Sequence, residues 1–525
     1  MGALRILTFA IGLAMVPQGI EAVQGDEPLG KVTYDRWCSE CHGLDGDGNG
    51  SAAGYMLPRP RDFTLALYNI RTTASGELPT DDDLLRAINM GAPGTAMPPW
   101  DDVLTDEEKG ALVQYIKTFS RFFSPDEIPV PLDLGSPTGV SDEVIAEGRR
   151  QYEAIECWKC HGDQGRGDGE SAPTLMDDTG FPIVATDLTE NWFFNGGADV
   201  EDIYRALRTG LDGSPMPNFS DVLNAGVITD EELWAMAHYV RSLAPEDVPG
   251  ISEVVQAKLL IEESAEVATS VGDEAWDEIE GTYIPLVGQI IVKPRWFDPR
   301  VDGVWVKAMH NGDDISVMVS WSDPNNSPDP LWSDWQSQVT TIMEPQEAPY
   351  DETGAKPDQL VVQFPMQMPE GMERPYFLKG DNRRPVYLWQ WTSDRMIALE
   401  GEARGVGTES FPADGQDVGV EAIHQDGQWR VLFTRPLMTS DENDLDFVTG
   451  EAIPISFFVW DGDNGESGNR GSLSSWYFLI LEEPISTKVY VAPPIAMLIA
   501  GALGFLMVRR VQKREMEALE VKKTI

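Results

Sequence analysis

Four hydrophobic patterns divide the chain. A short apolar run fills residues 6–16, behind Arg5 and ahead of Ile20-Glu21-Ala22. Two amphipathic stretches of helical period, 105–119 and 229–243, both open on Thr-Asp-Glu-Glu. Thr105 and Thr229 are therefore predicted N-caps, and the acidic residues behind them suit the positive end of a helix dipole. From about 276 to 484 the period shortens to two, as in Ile315, Val317, Val319 and Trp321, which predicts strands with one buried face. Asn311-Gly312 and Asp426-Gly427 are hairpin signals, the second just ahead of Trp429, Val431 and Phe433. An antiparallel sandwich or small barrel is the expected result. Finally, 489–508 runs for 20 residues without a charge, long enough at ~1.5 Å per residue to cross ~30 Å of hydrocarbon.

The two apolar runs at the ends imply export and a tether. The first is short and ends near small residues, as in a secretory leader covering 1–22, with an uncleaved anchor as the alternative. The second is followed by Arg509, Arg510, Lys513 and Arg514. Basic residues stay on the cytoplasmic side, so 509–525 is read as a cytoplasmic tail and the bulk of the chain as periplasmic or equivalent. Pro493 and Pro494 are read as first-turn residues of this helix, where a missing N–H costs nothing.

Composition narrows the class. With 525 residues the chain has room for about three domains, and 42% hydrophobic with 24% charged residues describes folded protein. The formal charge of -48, from 87 acidic against 39 basic residues, excludes a nucleic-acid partner, which needs a basic face. It leaves a solvated surface or a docking field for a basic redox partner.

The four cysteines all fall in two motifs, Cys38-Ser39-Glu40-Cys41-His42 and Cys157-Trp158-Lys159-Cys160-His161. A bare CxxC could be a dithiol or half a zinc site, but histidine directly after the second cysteine points to covalent haem c attachment. The surroundings repeat as well. Gly30 and Tyr34 precede the first motif as Gly148 and Tyr152 precede the second, and glycine-rich loops follow both. Asp83-Leu84-Leu85-Arg86-Ala87-Ile88 matches Asp202-Ile203-Tyr204-Arg205-Ala206-Leu207. Gly94-Thr95-Ala96-Met97-Pro98-Pro99 matches Gly213-Ser214-Pro215-Met216-Pro217-Asn218, and each methionine follows its histidine by 55 residues. His42 and His161 are thus candidate proximal iron ligands, with Met97 and Met216 as sixth ligands; Met90 competes with Met97. Such ligation raises the reduction potential and leaves no open position for substrate, which favours electron transfer over catalysis. Residues 124–139, with four prolines, read as a stiff linker.

Both repeats resemble class I cytochrome c domains over some 90 residues each, and the resemblance implies the same ligands. The third region resembles the haem-binding subunit of ethylbenzene dehydrogenase and the γ subunits of type II dimethyl sulfoxide reductase family complexes, nitrite oxidoreductase-like ones included. Carrying that resemblance are Trp276-Asp277, Ile284-Pro285-Leu286-Val287, Val306-Lys307-Ala308-Met309-His310-Asn311-Gly312, Trp321-Ser322-Asp323-Pro324, Gln363-Phe364-Pro365, Val386-Tyr387-Leu388-Trp389-Gln390-Trp391 and Phe458-Val459-Trp460-Asp461-Gly462. It implies one haem b held between a methionine and a lysine. Lys379 with Met366, Met368 or Met372 are the candidates here, whereas Asn469-Arg470-Gly471-Ser472 stands where the family's lysine belongs.

The expected architecture is two all-α cytochrome c domains (23–125 and 138–248), a mostly antiparallel β domain (270–485) and one transmembrane helix (489–508). The expected role is a non-catalytic electron-transfer subunit of a membrane-bound respiratory complex. Resemblance implies a molybdopterin catalytic subunit and an iron–sulfur subunit as partners, with a soluble or membrane carrier such as a cytochrome c outside. A self-standing dihaem peroxidase or thiosulfate-oxidising enzyme needs an open iron position, and the remaining histidines, His238, His310 and His424, are read as surface or packing residues. An oxidase cytochrome c subunit suits the paired repeats but leaves the β region unexplained.

Overall fold

A computed structural model describes residues 27–124, 128–250, 252–260, 266–343, 356–369, 374–441, 444–484 and 487–523. The leader at 1–22 and Met372 lie outside them.

The first repeat is built from α1 (Leu29–Trp37), α2 (Ser39–His42), α3 (Asp81–Met90) and α4 (Asp106–Lys117). The second follows the same order with α5 (Asp142–Ala154), α6 (Trp158–His161), α7 (Val200–Thr209), the short α8 (Ser220–Asn224) and α9 (Asp230–Ser242). Thr105 and Thr229 each close a capping box, accepting from the N3 backbone N–H while Glu108 and Glu232 reach back to the cap. First and last helices cross closely because glycine stands at the crossing. A Cβ on Gly30 would come within 2.2 Å of the Ala111 carbonyl oxygen, and one on Gly148 within 2.0 Å of that of Ala235. Beside each crossing a buried tyrosine donates to the carbonyl that ends the CxxCH turn, Tyr34 to Gly43 at 2.7 Å and Tyr152 to Gly162 at 2.6 Å.

The linker folds back over both repeats. The Leu132 N–H donates to the Thr72 carbonyl at 2.8 Å, and the Thr138 carbonyl accepts from His238 Nε2 at 2.8 Å.

The third region contains β1 (Val254–Leu259), β2 (Thr282–Pro285), β3 (Val287–Gly288), β4 (Gly303–His310), β5 (Asp314–Ser322), β6 (Gln359–Pro365), β7 (Val386–Thr392), β8 (Ala398–Ala403), β9 (Gly419–Gln425), β10 (Gln428–Pro436), β11 (Ala452–Trp460), β12 (Ser472–Leu473) and β13 (Tyr477–Leu481). Ten of them form one continuous path, β8-β7-β6-β11-β13-β1-β4-β5-β10-β9. The β4–β5 and β9–β10 hairpins turn at the two expected dipeptides, with Asp426 and Gly427 both at positive φ. Ile315, Val317, Val319 and Trp321 are buried together with Trp389, Trp391 and Trp429 in one core. Two features depart from the expectation. β1 lies ahead of residue 270 and pairs in parallel with both β13 and β4. A helix, α10 (Ser333–Met343), interrupts the strands.

That helix matters because it joins the regions. Trp332, Trp335 and Val339 pack with Trp296, with Ala172, Ala185, Leu175 and Cys160 of the second repeat, and with Leu57 of the first. Nearby, the rings of Tyr55 and Phe297 stand 4.8 Å apart, and Arg166 donates to Ser322 at 3.0 Å.

A last helix, α11 (Thr487–Lys523), carries a candidate membrane span within Val489–Leu519, long and apolar enough to cross a membrane. It begins at Thr487, so Pro493 and Pro494 lie beyond its first turn, correcting the first-turn reading. The missing N–H groups leave the Val489 and Tyr490 carbonyls without their i+4 donors.

Candidate haem sites

Each CxxCH motif is a turn of helix whose histidine ends it. In the first, His42 Nδ1 lies 2.9 Å from the Arg61 carbonyl oxygen; in the second, His161 Nδ1 lies 2.9 Å from that of Thr186. A carbonyl only accepts, so Nδ1 carries the proton and Nε2 keeps its lone pair. Burial pushes both imidazoles below their ordinary pKa, which favours the neutral form a metal requires. His42 also stacks on Phe63, with ring centroids 4.5 Å apart.

None of the four cysteines is in a disulfide. Burial pushes Cys38 and Cys157 up to about 12, and raises Cys41 and Cys160 as well.

Met97 and Met216 occupy loops of matching hydrogen bonding. Each backbone N–H donates to a side-chain hydroxyl two residues back, Thr95 at 3.2 Å and Ser214 at 3.3 Å. Each carbonyl accepts from the residue after the last glycine of the preceding helix, Ala92 at 3.0 Å and Leu211 at 3.2 Å. Both side chains are half-buried, whereas Met90 is 40% exposed at the end of α3.

The donor set fits haem c in both repeats: two thiols, a neutral imidazole with a free Nε2, and a methionine on a pinned loop. Buried polar atoms without a protein partner add to the fit. They include Tyr68 Oη and Trp100 Nε1 in the first repeat, and Trp234 Nε1 in the second.

Haem b is a different matter. Lys379, held at φ 60°, lines a small pocket with Leu378, Phe458, Trp460, Asn469 and Gly471. The two stretches scanned for the family's ligands thus meet at one cavity. Yet Lys379 donates to Glu409 in an ion pair and rests 5.6 Å over the Phe458 and Trp460 rings. Among the described residues no methionine lines the cavity; Met366 bonds its N–H to Pro385, and Met368 packs against the main core. The described residues do not assemble a methionine–lysine pair. The other histidines hold backbone carbonyls: His238 that of Thr138, His310 that of Glu482 and His424 that of Asp323.

A second polar feature was not anticipated. Asp323, Asp358 and Asp461 converge in the β domain, all buried, with carboxylate oxygens within 4.8 Å of one another. Burial raises all three, with repulsion from neighbouring aspartates added at Asp323 and Asp358, Asp358 reaching about 7, and burial pushes Glu466 alongside up to about 8. The sequence signal was their place in Asp323-Pro324 and Trp460-Asp461-Gly462, which were read for family resemblance only.

Comparison with known proteins agrees with the geometry. Residues 26–116 match the model for cytochrome c oxidase, cbb3-type, subunit III, and residues 145–244 that for cytochrome c. Residues 273–411 and 402–472 match ethylbenzene dehydrogenase. A protein of Haloferax mediterranei described as a respiratory nitrate reductase haem subunit is 24% identical over 227 residues, 43% of this chain and 72% of its own. The chlorate reductase γ subunit of Ideonella dechloratans is 29% identical over 123 residues, covering 23% of this chain and about half (49%) of that one. A chain of the Kuenenia stuttgartiensis reducing HAO-like protein complex is 44% identical, spanning 42% of this chain and 97% of its own, with a TM-score of 0.39. The chain therefore carries two cytochrome c domains, which imply covalently bound haem c, followed by an ethylbenzene dehydrogenase-like domain.

Proposed function

We propose that this chain carries two haem c groups and serves as the electron-transfer subunit of a membrane-bound respiratory molybdenum oxidoreductase complex. Cys38 and Cys41 would attach the first haem and Cys157 and Cys160 the second, with His42 and Met97, and His161 and Met216, as the residues that would hold each iron. The observation that carries this reading is the duplicated donor set, matched to within about two tenths of an ångström in its hydrogen bonds. Haem c supplies a one-electron iron couple when bound. The chain's own residues set its working range: the backbone carbonyls of Arg61 and Thr186 fix the imidazole tautomer and orient Nε2, and the methionines favour the reduced state relative to harder ligands.

The partners are inferred from two of the relatives, subunits of a nitrate and a chlorate reductase. A molybdopterin subunit and an iron–sulfur subunit stand on one side of the relay and an external carrier on the other. The apolar stretch of α11 is the tether, with Arg509, Arg510, Lys513 and Arg514 on the cytoplasmic side. No haem b is included, because Lys379 is committed to Glu409.

Purifying the full chain in detergent and measuring haem per polypeptide, spin state and carbon monoxide binding tests the proposal. Two low-spin c haems that ignore carbon monoxide are expected. High-spin haem at rest, or carbon monoxide binding, would remove the claim that both axial positions are filled.

A further inference from the structure

The two repeats are locked together at the loops that carry their methionines, and the lock is unequal. Arg71 of the first repeat is 1% exposed. On its own side it donates to the Tyr68 carbonyl at 2.5 Å and the Ala74 carbonyl at 3.2 Å. Across the interface it donates to the Thr209 carbonyl at 2.7 Å and pairs with Asp212 at 2.7 Å. Thr209 ends α7, and Asp212 stands four residues before Met216, in the same loop. Asp212 also accepts from Ser75 Oγ and the Gly76 N–H, both at 2.8 Å. Three donors of the first repeat therefore grip one carboxylate of the second. One residue on, Gly213 presses on the first repeat as well, for a Cβ there would lie 2.8 Å from Arg61 Nη1. The carbonyl of that same Arg61 holds His42.

The reciprocal contact on the Met97 loop is thinner. A Cβ on Gly94 would meet the Phe193 carbonyl oxygen at 2.8 Å. The charged contact on that side, Arg86 with Asp202 at 2.7 Å and with the Gly196 carbonyl at 3.0 Å, joins helices and misses the Met97 loop.

We propose that Arg71 is a positioning residue for the second haem, clamping the Met216 loop from the neighbouring domain, so that the first repeat sets how firmly Met216 holds iron. This rests on the reading of Met216 as an axial ligand. Removing one partner of a buried pair leaves the other uncompensated, which costs far more than an exposed pair does. The loop would then open more often while the first haem keeps its own ligands.

The test uses full-length holoprotein in which Met97→His silences the first methionine–iron absorption, leaving only the second. In that background Arg71→Leu and, separately, the near-isosteric Asp212→Asn should each speed imidazole binding at the second haem about tenfold or more and weaken its methionine–iron absorption. Arg86→Ala, which loosens the same interface away from the loop, should leave both readouts near the parent values. An absorption that depends on Met216 but is indifferent to Arg71 and Asp212 would overturn the clamp while sparing the ligand assignment. Equal responses to Arg71→Leu and Arg86→Ala would overturn it too, as general loosening. If Met216→His leaves the absorption unchanged, the ligand assignment itself falls.

Discussion

His42 and His161 make the same bond to a backbone carbonyl, but the ground around the two motifs differs. Cys38 packs within the core of its own repeat, beside Trp100 and Leu112. Cys157, its counterpart, likewise packs in the core of its own repeat, but Cys160 adds a contact with Trp296, Trp332 and Trp335 of the β domain. Leu29, Val32, Trp37 and Leu44 around the first motif remain exposed. One sequence plan, used twice, thus yields an outward repeat and one wedged between neighbours. The donor set is a property of the repeat, whereas its setting is a property of the assembly, and the two are separable by mutation.

The largest expected effect tests whether the repeats load independently. Replacing Cys157 and Cys160 by serine should remove half of the covalent haem per chain, and replacing Cys38 and Cys41 should remove the other half, read from the pyridine haemochrome of purified protein. Loss of all haem from either pair would mean that one site depends on the other.

Next, Met97→His and Met216→His should each lower one of two reduction potentials, by a sizeable part of the ~0.8 V that axial ligands span, in a spectroelectrochemical titration. Two shifts from a single substitution would break the assignment of one methionine to each repeat.

Trp335→Ala attacks the setting alone. Loss of a buried tryptophan costs ~3–5 kcal/mol, so the melting point should fall. Proteolysis near Cys160 should rise while the region around Cys38 stays protected.

A pH scan separates the β domain from the repeats. Glu466, pushed up to about 8, and Asp358, up to about 7, keep protons in the folded state that the unfolded chain gives up near pH 4. Stability of the β domain should therefore be greatest below that point and fall as pH rises toward 8. Chemical denaturation followed by tryptophan fluorescence at pH 5 and pH 8 checks the sign; a β domain more stable at pH 8 would contradict it. Smallest of all, Thr105→Ala and Thr229→Ala should each cost ~1 kcal/mol, and a clear inequality would show that the repeats differ even in their capping.

Much of the repeat was legible because its chemistry is local. CxxCH, the matched methionines and the two capping threonines lie within short windows, and equal spacing made one copy a check on the other. The hairpins at Asn311-Gly312 and Asp426-Gly427 were legible for the same reason. What escaped depends on contacts remote in sequence. β1 shows no feature that announces parallel pairing with β13, more than 200 residues away. Arg71 is one arginine among many until Asp212 is placed against it. The Lys379 stretch was found, but its commitment to Glu409 was not, since an ion pair 30 residues apart leaves no pattern. The proline reading failed because helix α11 starts at Thr487, ahead of the apolar run.

The central claim is tested most directly by the methionine–iron absorption of the oxidised full-length chain, compared among the parent, Met97→His, Met216→His and the double variant. Two haems with one methionine each predict half the parental intensity in either single variant and none in the double. An undiminished band in a single variant, or a surviving band in the double, would contradict the account.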